Sequence, residues 1–370
     1  MQPEAAARIR YGVIGTGMMG VEHIHNIVAV DGAVVTAVAD PHPESIEWAR
    51  IAVGLSADLA TFSDHRDLLE SGLVDAVVIA SPNHTHHRVL LDVLEYPVHV
   101  LVEKPLCTTL EQCRDVVEVA DRVAHDRVIW MGLEYRYMAP TQRLLQELEA
   151  GTIGDVKMVA IREHRFPFLP KVGHWNRFSR NTGGTLVEKT CHFFDLMMQI
   201  TRARPVRVFA SGGQSVNHLD EQYDGETPDI LDNAYVVVDF DDGSRGLLDL
   251  CMFAEASVNE QEIAVTGHVG KMEALVTESK LRIGRRADGQ HVVDTHEIHH
   301  AGIKHVGLHH GSSYLEHVDF AEAIRNGAPA GVTLLDGLRS AAVGFAAHRS
   351  IESGLPVQMS DLAELEGMDW

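Results

Sequence analysis

Lys104 is the first residue in the sequence whose type and position suggest chemistry. It follows the apolar run 98–102, which predicts a buried β-strand, and it is followed by Pro105. Ligands of open α/β sheets gather just beyond the carboxyl ends of the strands, where a lysine amine could take a proton from a substrate. Lys104 is therefore a candidate catalytic base, and the alternative is a surface lysine in a turn.

His192 is the second candidate. It lies four residues after Glu188 and three before Asp195, so on one helix both carboxylates could lie beside its imidazole. Either acid could then fix the tautomer of the ring and raise its basicity. For Glu188 a structural role competes, because Thr185-x-x-Glu188 has the spacing of a capping box. A packed core histidine is the alternative for His192.

A glycine-rich segment predicts the element that brings a cofactor to these residues. An apolar run leads into Gly15-x-Gly17-x-x-Gly20 and a helix, and Asp40 ends the next predicted strand. Bare backbone lets a pyrophosphate approach, and the helix N-terminus supplies N–H groups. Asp40 could accept both ribose hydroxyls and would repel a 2′-phosphate, which favours NAD over NADP. A simple glycine turn followed by a loop aspartate is the alternative.

The rest of the chain predicts two domains of different character. Strand and helix signals alternate up to about residue 133, which is typical of βαβ units in a doubly wound parallel sheet. Longer strands then follow one another without intervening helices, and helical periodicity returns near the C-terminus. We therefore expect an α/β Rossmann domain over residues 1–133. An α+β domain with an open, mostly antiparallel sheet is expected over residues 134–370.

Composition narrows the classes of partner. The 370-residue chain carries 31 Lys and Arg against 53 Asp and Glu, a net charge of −22 that repels nucleic acid and anionic membranes. Its four cysteines lack C-x-x-C spacing, no apolar run reaches membrane-spanning length, and the start does not resemble a signal peptide. These features predict a cytoplasmic protein without nucleic-acid or membrane partners.

Four ordered motifs together resemble the glucose-fructose oxidoreductase, inositol dehydrogenase and rhizopine-catabolism family, Gfo/Idh/MocA. They are Gly15-x-Gly17-x-x-Gly20-x-x-His23, Ser81-Pro-Asn83-x-x-His86, Glu103-Lys104-Pro105 and Gly183-Gly184-Thr-Leu-x-Glu188-x-x-x-His192-x-x-Asp195. The resemblance covers nearly the whole chain. It implies an NAD-binding Rossmann domain, a small carbohydrate substrate, and a mixed sheet whose exposed face often builds a homodimer or homotetramer.

The resemblance also implies roles for single residues. Lys104 would polarise the reacting oxygen, His192 would be the acid/base, and the acid at 188 would contact substrate hydroxyls. A cis or strained Lys104–Pro105 bond is expected to aim the lysine. Glu188 and Thr190 depart from the Asp and Gly that are usual in the family. The predicted NAD contacts are Gly15, Gly17, Met18, Met19, Gly20, Asp40, Ser81, Asn83, His86, Glu103 and Lys104.

A basic stretch, residues 162–180, precedes the second glycine motif in an otherwise acidic chain. Its cations alternate with aromatic residues, a combination suited to a uronate or a sulfonated hexose. A basic loop that pairs with acids across a subunit contact explains the same pattern. The predicted substrate-site residues are Lys104, Tyr135, Arg162, His164, Lys171, Trp175, Asn176, Arg177, Glu188, His192 and His310.

Two histidine-rich groups invite comparison with metal sites. His84, His86 and His87 lack a nearby acid or cysteine to complete a tetrahedral set. The histidines at positions 299–310 are better interpreted as loop and cleft lining. No metal is therefore predicted.

Three functions fit these features. The first is an NAD-dependent dehydrogenase acting on a ring hydroxyl of a sugar, sugar acid or inositol. The second is a redox-neutral glycosidase, for instance of sulfonated sugar glycosides, which oxidises C3 transiently and needs another base near C2. Tyr135, Tyr137 or His310 could supply that base. A non-catalytic NAD-binding regulator is disfavoured, since it would not need both Lys104 and His192.

Overall fold

A computed structural model describes residues 8–123 and 126–368, which form two units. The first unit contains the described residues up to Glu134, together with Lys171–Gly173 and Gly302–Leu338. The second contains Tyr135–Pro170, His174–Ala301 and the described residues from Arg339 onward. The chain therefore passes between the units several times.

The regular structure of the described residues consists of strands β1–β15 and helices α1–α11. The strands are Ile9–Ile14, Ala33–Ala39, Ala60–Phe62, Ala76–Ile79, His99–Glu103, Ile129–Gly132, Val156–His164, Pro205–Gly213, Asn233–Phe240, Arg245–Cys251, Gln261–Gly267, Gly270–Leu275, Lys280–Arg285, Asp294–Glu297 and Val357–Gln358. The helices are Met18–Ala29, Pro43–Val53, His65–Glu70, His86–Leu94, Leu110–Val123, Ala139–Glu149, Ser179–Thr182, Thr185–Glu188, Cys191–Thr201, Ser312–Asn326 and Leu334–Ser353. Among these helices, none combines the length and the apolar character that crossing a membrane requires.

The first unit is built on a six-stranded sheet in the order β3-β2-β1-β4-β5-β6, in which every pair is parallel. Strands β1, β4 and β5 are apolar and buried almost throughout, as parallel strands covered on both faces must be. The strand order reverses between β1 and β4, so the loops after these strands border a crevice at their carboxyl ends. This topology confirms the predicted doubly wound Rossmann sheet.

Helix α10 completes the core of the first unit. It packs against α1, and Phe320 of α10 makes edge contacts with Tyr11 and Trp130, with ring centroids 6.1 and 6.0 Å apart. The sequence analysis assigned α10, and residues 171–173, to the second domain, whereas in the structure both belong to the first unit. Helical periodicity identifies α10 as a helix but carries no information on which core it joins.

The second unit is built on a nine-stranded sheet in the order β14-β13-β12-β11-β7-β10-β9-β8-β15. All pairs are antiparallel except β7 with β10, which confirms the predicted open, mostly antiparallel sheet. Buried and exposed residues alternate along β7, β9 and β10. Helices α6 and α9 pack on the buried face, against β12 and β7 respectively. The alternation therefore determines which side chains of β7 can lie beside α9.

Candidate active site

The glycine loop after β1 has the shape that a dinucleotide requires. Gly15 adopts φ +87°, and a Cβ there would lie 2.5 Å from the backbone nitrogen of Ser81. A Cβ on Gly17 would meet nothing within 4 Å, so the backbone is open to a ligand on that side. Helix α1 begins at Met18 with no acidic residue in its first turn and no side-chain cap. Its N-terminal N–H groups are thus available to an anion.

Asp40 lies at the end of β2, where the sequence analysis placed it. Its carboxylate accepts hydrogen bonds from the backbone N–H groups of Thr16 and His42, both at 2.8 Å. These bonds fix the carboxylate beside the glycine loop and leave it lone pairs for ribose hydroxyls. In the part of the chain that the structure describes, the buried Thr16 Oγ1 and Asn83 Nδ2 have no hydrogen-bond partner. The residues of this loop therefore fit NAD.

His86 connects two turns that border the crevice. It is fully buried, with Nδ1 2.8 Å from the carbonyl oxygen of Pro105 and Nε2 3.0 Å from that of Ser81. Burial lowers the pKa of His86, which favours the neutral ring. A neutral ring has one N–H, so it donates to one of these two carbonyl oxygens and packs against the other. His86 thus holds the Ser81 turn against the Lys104–Pro105 turn.

Lys104 directly follows β5, and its peptide bond to Pro105 is cis, as expected. The Lys104 N–H donates to Glu103 Oε2 at 3.0 Å, while Glu103 Oε1 lies 2.9 Å from His23 Nε2. His23 Nδ1 in turn lies 2.8 Å from His317 Nε2 on α10. A chain of three buried side chains, His317–His23–Glu103, therefore anchors the backbone of the lysine.

The titration of this chain follows from its contacts. Burial alone would raise the pKa of Glu103, but the hydrogen bond and charge of His23 outweigh it and bring that pKa to about 2. Burial holds the pKa of His317 well below its usual value. Glu103 is consequently the ionised acceptor at one end of this chain.

His192 lies in the first turn of α9 and is 2% exposed. Its imidazole stacks on the ring of Tyr135, with centroids 4.0 Å apart and an interplanar angle of 12°. Arg136 binds both oxygens of Asp195, at 2.7 and 2.5 Å, a partner that the sequence spacing did not indicate. Tyr135 and Arg136 are adjacent in sequence. One short segment thus contacts both His192 and the acid that follows it.

Glu188 is the last residue of α8 and is buried. The predicted single helix is divided into α8 and α9 by Lys189 and Thr190. Gly184, rather than Thr185, is the N-cap of α8, and the Thr185 hydroxyl donates to the carbonyl oxygen of Leu231 at 2.7 Å. The capping-box interpretation of Glu188 therefore fails, because its threonine is engaged elsewhere.

Two functional candidates escaped the sequence analysis. Lys189 is 4% exposed, and its Nζ lies 2.6 Å from Tyr135 Oη and 2.8 Å from Oε1 of Glu163, which is 0% exposed. Burial lowers the pKa of Lys189 to about 8 and raises that of Glu163. One signal could have found Glu163, since it continues the buried alternation of Val159 and Ile161 along β7. Lys189 carried no such signal.

The basic stretch is mostly neutralised by acids of the same unit. Arg162 and His164 alternate with Glu163 along β7 and lie on the opposite face from α9, within 3.2 and 3.0 Å of Asp249. Arg177 pairs with Glu221 at 3.1 Å. The alternation separates Arg162 and His164 from His192. These pairs form within one chain, and a contact of the basic stretch with a neighbouring subunit stays a prediction.

The other predicted substrate residues are distributed over both units. Asn176 is buried and donates to the carbonyl oxygen of Leu169, and Trp175 is partly buried. Lys171 belongs to the first unit, where its Nζ lies 4.0 Å from Met18 Sδ at the start of α1. His310 is exposed in the first unit. Lys171 is therefore a neighbour of the dinucleotide loop.

Metal ligation was not predicted for the histidine-rich segments. Within residues 8–123 and 126–368, no three His, Cys, Asp or Glu side chains are arranged to hold an ion. His87 instead pairs with Asp115 at 2.7 Å, and the His305 ring stacks on His25 with centroids 5.7 Å apart. Each of these contacts lies within the first unit.

Known proteins share both units. Residues 9–132 match the NAD-binding Rossmann fold of the GFO_IDH_MocA oxidoreductase family, and residues 146–359 match its C-terminal alpha/beta domain. Myo-inositol 2-dehydrogenase of Thermotoga maritima is 28% identical, over 96% of this chain and 99% of its own. The NAD(+)-dependent scyllo-inositol 2-dehydrogenase of Bacillus subtilis is 27% identical, over 98% and 99%. A solved levoglucosan dehydrogenase with NADH and levoglucosan shares the fold, with a TM-score of 0.84 at 20% identity over 95% of this chain and 99% of its own. The chain belongs to the Gfo/Idh/MocA family of NAD-dependent oxidoreductases.

Proposed function

We propose that the protein is an NAD-dependent dehydrogenase that oxidises a ring hydroxyl of a sugar or polyol. The observation that carries the proposal is the position of Lys104, directly after β5 of an NAD-binding sheet and anchored by a buried His–His–Glu chain. Two relatives that match over nearly the full length are inositol dehydrogenases, which supports a polyhydroxylated ring as substrate.

The chemistry divides between the cofactor and a few side chains. When bound, NAD accepts the hydride from the carbon that carries the reacting hydroxyl. Lys104 holds and polarises the hydroxyl oxygen, and His192 takes its proton. Glu188 accepts hydrogen bonds from neighbouring hydroxyls and so orients the ring. Tyr135, stacked on His192, fixes the plane of the imidazole.

A neutral ring is the preferred substrate class. The basic stretch suggested a uronate or sulfonated sugar, but Arg162, Arg177 and Arg180 each pair with a carboxylate of the same unit. An anionic substrate would have to displace these carboxylates, which offsets much of the attraction. We therefore expect neutral inositols and sugars to react better than their uronate or sulfonated counterparts.

Purified protein with NAD and a panel of inositols, neutral sugars, uronates, sulfonated sugars and their glycosides tests the proposal. NADH absorbance that rises with a neutral polyol supports it. Release of an aglycone without net NADH would identify the redox-neutral glycosidase instead. Binding of NAD with neither reaction across the panel would contradict both enzymatic functions.

We also propose that copies of the chain associate through the exposed face of the nine-stranded sheet. Phe209, Val237 and Leu247 lie side by side on neighbouring strands of this face, and Tyr235 and Met158 beside them are 61% and 58% exposed. Such a continuous apolar patch on an otherwise acidic protein fits a second copy of the same face. Sedimentation velocity should detect a dimer or tetramer, and Val237→Asp should dissociate it.

Free thiols support a cytoplasmic location. Cys107, Cys113, Cys191 and Cys251 are all unpaired by disulfides. Proteins of oxidising compartments more often carry their cysteines as disulfides. Fractionation of the source cells with an antibody against the protein tests this proposal.

A further inference from the structure

The buried pair Glu163–Lys189 in the second unit has no role in the proposed reaction so far. Its two side chains come from different elements, β7 and the junction between α8 and α9. Both are almost inaccessible to water, at 0% and 4% exposure. A buried ion pair adds little stability compared with well-packed apolar side chains. Its position next to a candidate catalytic residue therefore suggests another use.

Tyr135 connects this pair to His192. The Lys189 ammonium donates to Tyr135 Oη at 2.6 Å and lies 5.0 Å from the centre of the same ring. The same ring stacks on the imidazole of His192. A hydrogen bond at the hydroxyl end limits how far the tyrosine ring can tilt. The orientation of the tyrosine in turn limits that of the imidazole.

We propose that Glu163 and Lys189 are positioning residues for His192, whose imidazole they orient and polarise through the Tyr135 ring. The inference rests on the proposed role of His192 as the group that takes the substrate proton. The ammonium withdraws electron density from the tyrosine and opposes a second positive charge on the imidazole. The carboxylate of Glu163 offsets that effect, so the pair as a whole sets how readily His192 accepts a proton.

Other charged groups surround the same cluster. Arg165 lies 3.7 Å from Glu163 and 3.3 Å from Glu260. Glu188 precedes Lys189 on α8, and the Arg136–Asp195 pair lies on the segment and the helix that carry Tyr135 and His192. All of these groups are still present in the sequence when Glu163 or Lys189 is replaced. Differences between such variants therefore report on the pair itself.

The test is a pH titration of His192 in the free protein, with NMR of ¹³Cε1-labelled histidine as the readout. The His192 signal is assigned by its absence in His192→Asn. Lys189→Met removes the cation, so the titration midpoint of His192 should rise by about half a pH unit or more. Glu163→Gln removes the anion and should lower the midpoint by a similar amount. In the double variant the midpoint should return close to its original value, because both charges are gone.

Lys271→Met is the matched control, since it removes an exposed lysine held 2.6 Å from Glu273 on β12. It should leave the midpoint unchanged. Identical curves for His192 in all variants, or shifts in the same direction in both single variants, would overturn the inference. If Lys189→Met does not fold, the direction of the shift in Glu163→Gln decides alone.

The outcome does not depend on finding the substrate, because the titration requires neither substrate nor turnover. If the proposed dehydrogenase activity fails, His192 can still respond to the pair with opposite shifts. If the activity is found, Lys189→Met should move the acid limb of the kcat profile in the same direction as the midpoint. The KM for NAD should stay within about twofold, since the residue lies in the second unit.

Discussion

The supports behind Lys104 and His192 differ in charge and in origin. In the first unit, Glu103 is the only carboxylate of a buried chain that continues through His23 and His317. In the second unit, a buried pair of opposite charges, Lys189 and Glu163, holds the aromatic ring on which His192 stacks. One support acts on the backbone of its lysine, and the other acts on the ring plane of its histidine.

The two supports restrict different parts of their residues. The hydrogen bond from its N–H to Glu103 fixes the backbone position of Lys104. The four-carbon side chain can still change rotamer. A stacked ring instead restricts the whole imidazole of His192, which has only two rotatable side-chain bonds. We therefore expect changes behind Lys104 to appear mainly as lost stability. Changes behind His192 should appear mainly as altered proton transfer.

Replacement of Lys104 by alanine should give the largest effect. Turnover should fall by about a thousandfold or more, because the group that polarises the reacting oxygen is lost. NAD affinity should change little, since the glycine loop and Asp40 are intact. NADH absorbance measures the first quantity and fluorescence titration with NAD the second. Lys271→Ala is the control, and retained activity of Lys104→Ala would contradict the assigned role.

His23→Ala removes the middle residue of the buried chain His317–His23–Glu103 behind Lys104. Glu103 would be left buried without its imidazole partner, at a cost of about 3 kcal/mol in the free energy of unfolding. Urea denaturation measures the loss. His299→Ala, at an exposed position, provides the matched control and should change stability by less than about 0.5 kcal/mol. A loss below about 1 kcal/mol would show that the chain of histidines does not stabilise the turn.

Acid should weaken the packing around α8 in the second unit. Burial holds the pKa of His348 at about 4, and its neutral Nε2 accepts the Leu186 N–H at 3.1 Å. A depressed pKa means that its stabilisation is complete above pH 6.5 and is lost as pH falls towards 4, in total roughly 3 kcal/mol. For Glu103, with a pKa near 2, the corresponding loss begins only below about pH 4.5.

Hydrogen exchange measured peptide by peptide tests this expectation. Peptides around α8 should lose protection between pH 6.5 and 4. His348→Gln, which retains a hydrogen-bond acceptor, should remove the pH dependence around α8. An unchanged pH dependence around α8 in His348→Gln would refute the role of His348.

Lys171→Ala should give the smallest effect. Its ammonium lies beside Met18 at the start of α1, where it adds positive charge to the helix N-terminus. Loss of that charge should weaken NAD binding about threefold, and the difference should shrink as salt is raised. Calorimetry at two salt concentrations measures it. Lys157→Ala, on an exposed position of β7, is the control.

The sequence predicted the elements that local patterns define. The glycine loop, the Rossmann sheet and the open antiparallel sheet follow from apolar runs and their spacing, and the structure confirms them. The roles of Lys104, His192 and Glu188 stay predictions that the experiments above test. Local spacing misled at Thr185, whose partner Leu231 lies far away in sequence, and it did not indicate that Arg136 binds Asp195.

The contacts that the sequence did not predict join residues far apart in the chain. Lys189 occupies an unspecified position inside a motif, and only the fold brings it to Glu163 and Tyr135. His317 was one histidine among many in its segment, and its contact with His23 joins positions 294 residues apart. Such contacts depend on tertiary packing, which periodicity in one sequence does not encode.

The return of residues 302–338 to the first unit has a consequence for how the chain is made. A ribosome releases the Rossmann strands early, yet Phe320 and His317 emerge only when most of the protein has been synthesised. Until then Tyr11, Trp130 and His23 lack their neighbours. A truncated protein ending at Glu134 should therefore expose apolar aromatic side chains and aggregate. Co-expression with a peptide spanning α10 should restore its solubility.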